Sequence, residues 1–172
     1  WALSWIIGCL LKSSSGTIMR DGVSYECDDR KKDVWCVHNS EIKRFGFWGD
    51  LTVKMQVLHG LRTVNNQYLQ SEKEIIERFH LTPERYNRPF KQISTEAWRA
   101  SCAIGVAHGK KIFCFPHMQY LRPDFYEEFY QSKLKELVDL LKETGALVLL
   151  PAKATNSTQR LCDVVIPLGT AP

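Results

Sequence analysis

The sequence has no apolar stretch long enough to cross a bilayer, no run of basic residues and no closely spaced cysteine pair. A membrane-spanning helix needs about 20 consecutive apolar residues, and the apolar segment 1–11 reaches only about half that length. The segment also lacks the basic residues that lead a signal peptide. We therefore expect neither a transmembrane segment nor a secretory leader within these 172 residues.

The chain also carries only a small excess of one sign of charge. The 23 Lys and Arg residues against 19 Asp and Glu give a net charge of +4, and no basic stripe is interleaved with aromatic residues as nucleic-acid binding would require. We expect no nucleic-acid partner. Hydrophobic residues make up 44% and charged residues 24% of the chain, which is typical of a globular protein long enough to form one domain with a core.

Clustered metal ligands are missing as well. The five histidines and six cysteines do not repeat at ligand spacing, which argues against a structural metal site. Several cysteines lie inside apolar runs, which predicts buried free thiols and a reducing, intracellular compartment. The cysteines are Cys9, Cys27, Cys36, Cys102, Cys114 and Cys162.

What is present is a pattern of apolar residues typical of an α/β domain. Residues 1–12 show helical spacing, and Asp21-Gly22 is a strong turn signal between two short strands at 17–19 and 23–25. Further strands are predicted at 33–38, 112–115, 146–150 and 164–168, and a helix from Pro123 to about Glu143. Strand, helix, strand with short joins predicts a parallel sheet. Residues 51–107 read as helical throughout.

Six short motifs, in this order along the chain, resemble the nucleotide-binding domain of ABC-type ATPases. They are Ser15-Gly16-Thr17-Ile18 with Asp21-Gly22, Val34-Trp35-Cys36-Val37-His38-Asn39, Asp50-Leu51-Thr52-Val53, Ile93-Ser94, Ala107-His108-Gly109-Lys110-Lys111-Ile112, and Leu161-Cys162-Asp163-Val164-Val165-Ile166. The resemblance implies a P-loop NTPase-like core at 1–50 and 108–172, with flanking helices on a parallel sheet. It also implies a helical subdomain inserted at 51–107, and an N-terminal part of the domain that is missing.

The phosphate-binding loop of that family, GxxxxGK[ST], holds phosphates with backbone N–H groups and a lysine. No such sequence is present, because neither Gly8 nor Gly16 is followed by Lys-Ser or Lys-Thr. The resemblance places the end of the loop just before Trp1, so loss and truncation both stay open. We expect no cofactor, and ATP with Mg²⁺ only if a phosphate loop precedes Trp1.

The remaining nucleotide positions of the family differ in chemistry here. Pro116 and His117 stand where the Walker B strand should be followed by a metal-binding Asp and a catalytic Glu. Asn39 stands at the Q-loop glutamine, and Lys153 at the H-loop histidine. Ser94 opens the signature motif, in which Thr95 and Glu96 replace two glycines. These are vestigial nucleotide-binding positions, and we predict no catalytic residue and no metal ligand among them.

The pattern favours a catalytically inactive ABC ATPase-like protein that serves as a structural or accessory subunit of a larger assembly. Its partners would be other protein subunits, with Trp98 as the foremost candidate for an interface anchor. The alternative is the degenerate nucleotide-binding half of an ABC transporter that still binds ATP. An enzyme of another class lacks support, since no paired carboxylates or nucleophile-base spacing is found. The absence of an initiator Met suggests a processed organellar protein, peripheral to a mitochondrial membrane complex.

Overall fold

The fold is built on a small parallel sheet covered by helices. A computed structural model describes residues 2–42, 49–64, 71–93, 96–116, 123–151 and 160–167, with the backbone alone for 123–132. In chain order the elements are α1 (Ala2–Ile7), β1 (Met19–Arg20), β2 (Val23–Ser24), α2 (Cys27–Asp33), β3 (Val34–Cys36), α3 (Val53–Thr63), α4 (Glu72–Arg78), α5 (Pro83–Tyr86), a 3-10 turn (Phe90–Gln92), α6 (Ala97–Ala107), β4 (Ile112–Cys114), α7 (Pro123–Glu143) and β5 (Leu147–Leu149).

The central sheet has the strand order β3-β4-β5, and both pairs are parallel. Phe113 on the middle strand pairs in register with Trp35 on one side and Val148 on the other. The chain joins β4 to β5 through α7, as a parallel neighbour requires. The predicted parallel arrangement is therefore confirmed, and β3 and β4 are buried because helices cover the sheet.

The predicted hairpin is confirmed. β1 and β2 pair antiparallel with Arg20 opposite Val23. Asp21 and Gly22 both take a left-handed conformation, with φ of 52° and 80°. Two successive positive φ angles define the turn that suits a two-residue hairpin loop, which is why Asp-Gly predicts it so well.

The first helix is shorter than predicted. It ends at Ile7 instead of continuing to residue 12. Cys9 has a φ of 58°, and the Leu10 N–H reaches back to the Trp5 carbonyl at 2.8 Å. This is the geometry of a left-handed helix stop, which closes the helix although the apolar spacing continues.

The last predicted strand is wrong over the residues that the structure describes. Residues 164–167 form no ladder, and the side chains of Val164 and Ile166 are 74% and 76% exposed. An apolar run becomes a strand only where a neighbouring strand accepts its backbone hydrogen bonds. Here no described strand lies beside it.

The cysteine prediction is correct for some residues and wrong for others. Cys36, Cys102 and Cys114 are free and buried, as expected. Cys9 and Cys27, in contrast, are joined as a disulfide that links the end of α1 to the start of α2. Sequence spacing does not reveal such a pair, because a disulfide depends on the distance between Cα atoms in the fold, here 5.8 Å.

The helical stretch predicted at 51–107, between β3 and β4, is confirmed over the residues that the structure describes. α3 begins at a Thr52 cap, whose hydroxyl accepts the Met55 N–H at 3.1 Å, and α4 begins at a Ser71–Glu74 capping box. α6 is buried on nearly every face, since small residues let α3 pack closely on one side and Gly105 lies against Trp35 and Phe113 of the sheet on another. The division of the chain into two subdomains stays a prediction.

α7 is the longest helix, with 21 residues from Pro123 to Glu143, and its predicted bounds are confirmed. Where its side chains are described, Leu134, Leu137 and Leu141 enter the main core and charged residues face outward. None of the helices in the described ranges combines the length and the apolar character needed to cross a membrane.

Candidate functional site

The carboxyl ends of β3 and β4 are where the fold brings two of the predicted positions together. Cys36 and Cys114 are register partners at the last positions of the two strands. Asn39 follows three residues after the first and Pro116 two residues after the second. In open α/β sheets ligands bind outside this edge, so the edge is the candidate site.

Asn39 is held in a tight turn with its side chain exposed. The preceding His38 has a left-handed φ of 69°, and the Asn39 N–H donates to the Cys36 carbonyl at 2.9 Å. The His38 ring contacts Phe90 edge-on, with centroids 5.4 Å apart. The turn therefore presents the Asn39 amide to solvent at the end of the strand.

Pro116 is half-buried directly after the last core residue of β4. Phe115 before it is buried, and its N–H donates to the Leu149 carbonyl at 3.0 Å. The backbone after β4 thus stays hydrogen-bonded to β5 up to Phe115. The next position is the one at which the ABC family has a metal-binding carboxylate. A proline ring has no ligand atom for a cation and no N–H for a phosphate.

The other three predicted positions, Ser94, His117 and Lys153, lie outside the described residues. Within the ranges that the structure does describe, no group of three or more His, Cys, Asp or Glu side chains is arranged to hold a metal ion. The geometry of the candidate site therefore rests on Asn39 and Pro116.

Glu96 starts α6 beside the signature position, and its carboxylate is directed into its own domain. It forms an ion pair with Arg85 of α5 and lies 3.4 Å from the Thr82 hydroxyl, which donates to it. Its side chain is only 15% exposed. The carboxylate thus ties α6 to α5.

A buried polar cluster lies directly behind the Asn39 turn. Ser101 of α6 accepts hydrogen bonds from the Trp35 indole N–H at 3.1 Å and from the His38 N–H at 2.9 Å. Its hydroxyl donates to the Glu41 carboxylate, which also accepts the His38 N–H at 2.8 Å. We call these four residues the Glu41 cluster. It fastens the end of β3 to the middle of α6.

Burial dominates the electrostatics of this cluster. Glu41 is only 5% exposed, and desolvation raises the pKa of its carboxyl, although hydrogen bonds from Ser101 and His38 oppose the shift. Among the residues that the structure describes, one carboxylate oxygen of Glu41 and the amide nitrogen of buried Gln56 have no hydrogen-bond partner. A buried polar atom without a hydrogen-bond partner lowers the free energy of unfolding, so the unpaired oxygen of Glu41 makes the fold less stable.

Burial also shifts the pKa of a second titratable group near the sheet. His108, which follows α6, stacks on Trp35 with centroids 5.8 Å apart, and its Nε2 lies 3.2 Å from the Gln56 carbonyl. Burial, followed by the nearby His59, lowers the pKa of His108. A histidine kept neutral in this way supports the packing of α3 on α6.

The Glu41 cluster was not foreseen from the sequence. Glu41 and Ser101 are 60 positions apart, and neither belongs to a recognisable motif. The only local signal was a serine inside the apolar, small-residue helix α6, where a buried hydroxyl needs a partner. That signal does not say which partner it finds.

Comparison with solved structures identifies the architecture. CbiO1 from Clostridium perfringens, described as part of the ABC transporter complex cbiONQ, matches 94% of this chain with a TM-score of 0.64 and 17% identity. The dimeric MJ0796, described as a bacterial ABC transporter cassette, matches 92% of it with a TM-score of 0.61 and 19% identity. The chain has the fold of an ABC transporter ATP-binding cassette. The resemblance found in the sequence motifs is thereby confirmed at the level of the fold.

A third structure agrees. A putative ABC transporter ATP-binding protein from Pyrococcus furiosus matches 90% of the chain with a TM-score of 0.56 and 16% identity. The chain spans 65% of the length of CbiO1 and 71% of MJ0796. No protein-family model matches the sequence, and no curated protein matches it. The cassette fold is thus recognised by its backbone, at an identity too low to carry over function.

Within the cassette fold, the candidate edge combines one exposed amide with one proline. Asn39 can donate and accept a hydrogen bond, whereas Pro116 offers only its carbonyl. The neighbouring Glu41 cluster fixes the turn that carries Asn39 but points its polar atoms into the protein. The described part of this edge forms a fixed surface, and it places no carboxylate at the position after β4.

Proposed function

We propose that the protein is a catalytically inactive ABC ATPase-like subunit with a structural or accessory role in a larger assembly. The observation that carries the proposal is Pro116. It follows β4 at the edge where ATP hydrolysis would require a carboxylate to hold Mg²⁺. Proline cannot supply that ligand, whereas β3 and β4 on either side of this position keep their buried packing, and both observations support the proposal.

Glu96 supports the same conclusion from the helical region. A signature motif must let its backbone approach a phosphate, which favours glycine. Here the position carries a carboxylate, and that carboxylate is committed to Arg85 and Thr82. The site is thus used to join α5 and α6, as expected of a fold retained for packing and docking.

The proposed partners are other protein subunits. CbiO1 is described as part of a transporter complex and MJ0796 as a dimer, so the fold is one that works in assemblies in those proteins. By extension we propose that this chain docks on a membrane-associated complex. A mitochondrial complex is the sequence-based hypothesis for which complex that is.

The proposal is tested first by nucleotide binding. Titration calorimetry with MgATP and MgADP, on the longest natural form of the protein, should show no saturable heat at millimolar ligand. A cassette with an intact phosphate loop serves as the positive control. Saturable Mg²⁺-dependent binding would instead favour the degenerate half of an ABC transporter.

Matched variants locate any binding that is seen. Asn39→Ala removes the exposed amide at the candidate edge, and Gln92→Ala removes an exposed amide in the helical region. Nucleotide held at the edge would be weakened by the first change alone. A hydrolysis rate that rises above the no-protein blank and falls in Asn39→Ala would refute the proposal.

The assembly role has a separate test. The protein is tagged at its own locus, extracted with a mild detergent and run on a native gel. We expect it to migrate far above the mass of its own denatured chain, with companion proteins in fixed stoichiometry. Migration as a free chain in every extract would contradict the subunit role.

A further inference from the structure

The short helix α1 covers part of one face of the central sheet. Val34, Cys36 and Cys114 form a small apolar cluster on this face, separate from the main core, and we call these three residues the Cys36 cluster. Among the residues that the structure describes, Ile7 of α1 is the one apolar side chain from outside the sheet that packs on this cluster. A helix of six residues is not stable by itself in water, so the cover depends on what holds α1 in place.

Two contacts attach α1 to α2. Cys9, which lies two residues after the end of α1, is joined by the disulfide to Cys27, the first residue of α2. One turn further along α2, the Arg30 guanidinium donates to the Ile6 carbonyl at 3.0 Å. Both attachments lie at the carboxyl end of α1 and on one face of α2, because residues three apart on a helix are neighbours.

α2 is the fixed side of this attachment. It runs directly into β3, and its last carbonyl, that of Asp33, accepts the Lys111 N–H at 2.8 Å. The Lys110 ammonium group donates to the Lys31 and Lys32 carbonyls, at 2.6 and 3.0 Å. α2 is thus tied to β3 and to the residues that lead into β4. If the disulfide is lost, the element that moves is therefore α1.

The chain at the end of α1 lies directly against one of the cluster thiols. A Cβ at Gly8 would overlap the Cys36 sulfur, so the backbone there leaves no room above it. Cys36 and Cys114 are each only 2% exposed with α1 in this position. Displacement of α1 would uncover the cluster, and the reactivity of these two thiols therefore reports where α1 is.

The disulfide itself is placed where a thiol can reach it. Cys9 and Cys27 are both half-buried at the surface, unlike the free thiols of Cys36, Cys102 and Cys114, which are buried. Thiol–disulfide exchange requires that a thiolate reach one of the two sulfurs. In the reducing compartment that the sequence predicts, a disulfide is usually transient, and either catalytic or redox-sensing.

We propose that the Cys9–Cys27 disulfide is a redox-operated latch, which holds α1 over the Cys36 cluster when oxidised and releases it when reduced. A dithiol reductant supplies the two electrons. One of its thiolates attacks a sulfur of the disulfide, so the S–S bond breaks and a mixed disulfide forms. The second thiol of the reductant then displaces the protein thiolate, and the reductant leaves as its own disulfide. The two protons of the reductant's thiols pass through solvent to Cys9 and Cys27.

Release makes opening of α1 more frequent without unfolding the domain. The Arg30 hydrogen bond and the packing of Ile7 still favour the covering position. What disappears is the covalent constraint between two residues that are 18 positions apart. Local opening of one short element can then occur while the main core stays intact.

The test is the alkylation rate of each cysteine in the oxidised and the reduced protein. The longest natural form is oxidised with glutathione disulfide, or reduced with dithiothreitol, and desalted without oxygen. It is then pulsed with N-ethylmaleimide and quantified by mass spectrometry. We expect reduction to raise the labelling rates of Cys36 and Cys114 at least tenfold. Cys102, which is fully buried in the main core, should label equally slowly in both states.

Variants separate the latch from other effects of the reductant. The Cys9→Ser, Cys27→Ser double variant should label Cys36 and Cys114 at the fast rate with and without dithiothreitol. Cys162→Ser, which removes a free thiol and keeps the disulfide, should behave as the wild type in both states. Circular dichroism confirms that each variant is folded. If the double variant unfolds, hydrogen exchange of the wild type replaces it, and reduction should accelerate exchange in residues 2–7 but not in α6.

Three results would overturn the proposal. The first is labelling of Cys36 and Cys114 that does not change on reduction. The second is an equal acceleration at Cys102, which would mean that the whole domain opens. The third is a disulfide that dithiothreitol reduces only after the protein has been unfolded, since such a bond cannot switch in the native state.

Discussion

Gly60 sets the distance between α3 and α6 at the residue scale. A Cβ at this position would lie 2.7 Å from the Ala107 carbonyl carbon and 2.8 Å from the His108 nitrogen. Both are backbone atoms at the end of α6, so they cannot rotate away as a side chain would. The absence of a side chain at Gly60 is therefore what allows the two helices to touch.

Gly60→Ala should destabilise the protein, although alanine is the better helix former by about 1 kcal/mol. Overpacking against backbone costs about 1–3 kcal/mol, so after the gain in helix propensity we expect a net loss of up to about 2 kcal/mol in the free energy of unfolding measured with urea. The control is Met55→Ala on the same helix, which is 52% exposed and should change stability by about 0.5 kcal/mol or less. A Gly60→Ala protein more stable than wild type would show that α3 and α6 do not approach this closely.

At the scale of elements, the Glu41 cluster joins the end of β3 to α6. Ser101 receives two N–H groups from one strand end and donates to Glu41, so all three polar contacts depend on one hydroxyl. Through these contacts the cluster fixes the position of the exposed Asn39 turn relative to α6. This arrangement predicts a pH dependence of stability that belongs to Glu41.

Glu41 has a raised pKa in the folded protein, from a usual value of 4.5, and burial is the first cause. Between the unfolded and folded pKa values the native state binds more protons, so wild-type stability falls as pH rises through that window. Glu41→Gln removes this titration. We expect the stability of the variant relative to wild type to increase from about pH 4.5 upward, measured by urea unfolding at several pH values.

Glu77→Gln is the matched control, because the side chain of Glu77 is 65% exposed. Urea unfolding of this variant at the same pH values measures the effect of replacing an exposed carboxylate by an amide, and the Glu41→Gln result is compared with it. A difference between Glu41→Gln and wild type that stays constant across the same pH range would mean that Glu41 is solvated. The size of the stability difference at any single pH does not test the prediction, because an amide at this position also changes the hydrogen bonds. Only its change with pH does.

For the whole molecule, the Cys9–Cys27 disulfide is the one covalent link seen within the described residues. It holds α1, which packs on β3 and β4, to α2, which leads into β3. The residues that it joins are 18 positions apart. Closing a loop of that length stabilises a fold by about 3 kcal/mol.

Reduction of this bond should lower the melting temperature by about 6–12 °C, since 1 kcal/mol corresponds to about 2–4 °C for a chain of this size. Differential scanning fluorimetry with and without reductant measures the shift. The Cys9→Ser, Cys27→Ser double variant should melt at the lower temperature under both conditions. Free Cys9 and Cys27 in the purified, unreduced protein, detected by alkylation and mass spectrometry, would remove the basis of this prediction.

Local signals determined much of the fold. The Asp21-Gly22 turn, the buried runs of β3 and β4, and the helix from Pro123 to Glu143 are each encoded within a few consecutive residues. Turn conformation, apolar periodicity and a first-turn proline act over that same short range. The order of the motifs was sufficient to indicate the cassette fold, which the backbone comparisons then confirmed.

Only the tertiary structure decided the contacts between distant positions. The left-handed stop at Cys9 ended α1 early, and the unpaired segment at 164–167 is no strand. The meeting of Glu41 with Ser101, of Cys9 with Cys27 and of Cys36 with Cys114 likewise depended on which elements became neighbours. The physical reason is the same in each case, because hydrogen bonds, disulfides and strand pairing depend on separation in space, which local sequence patterns do not specify.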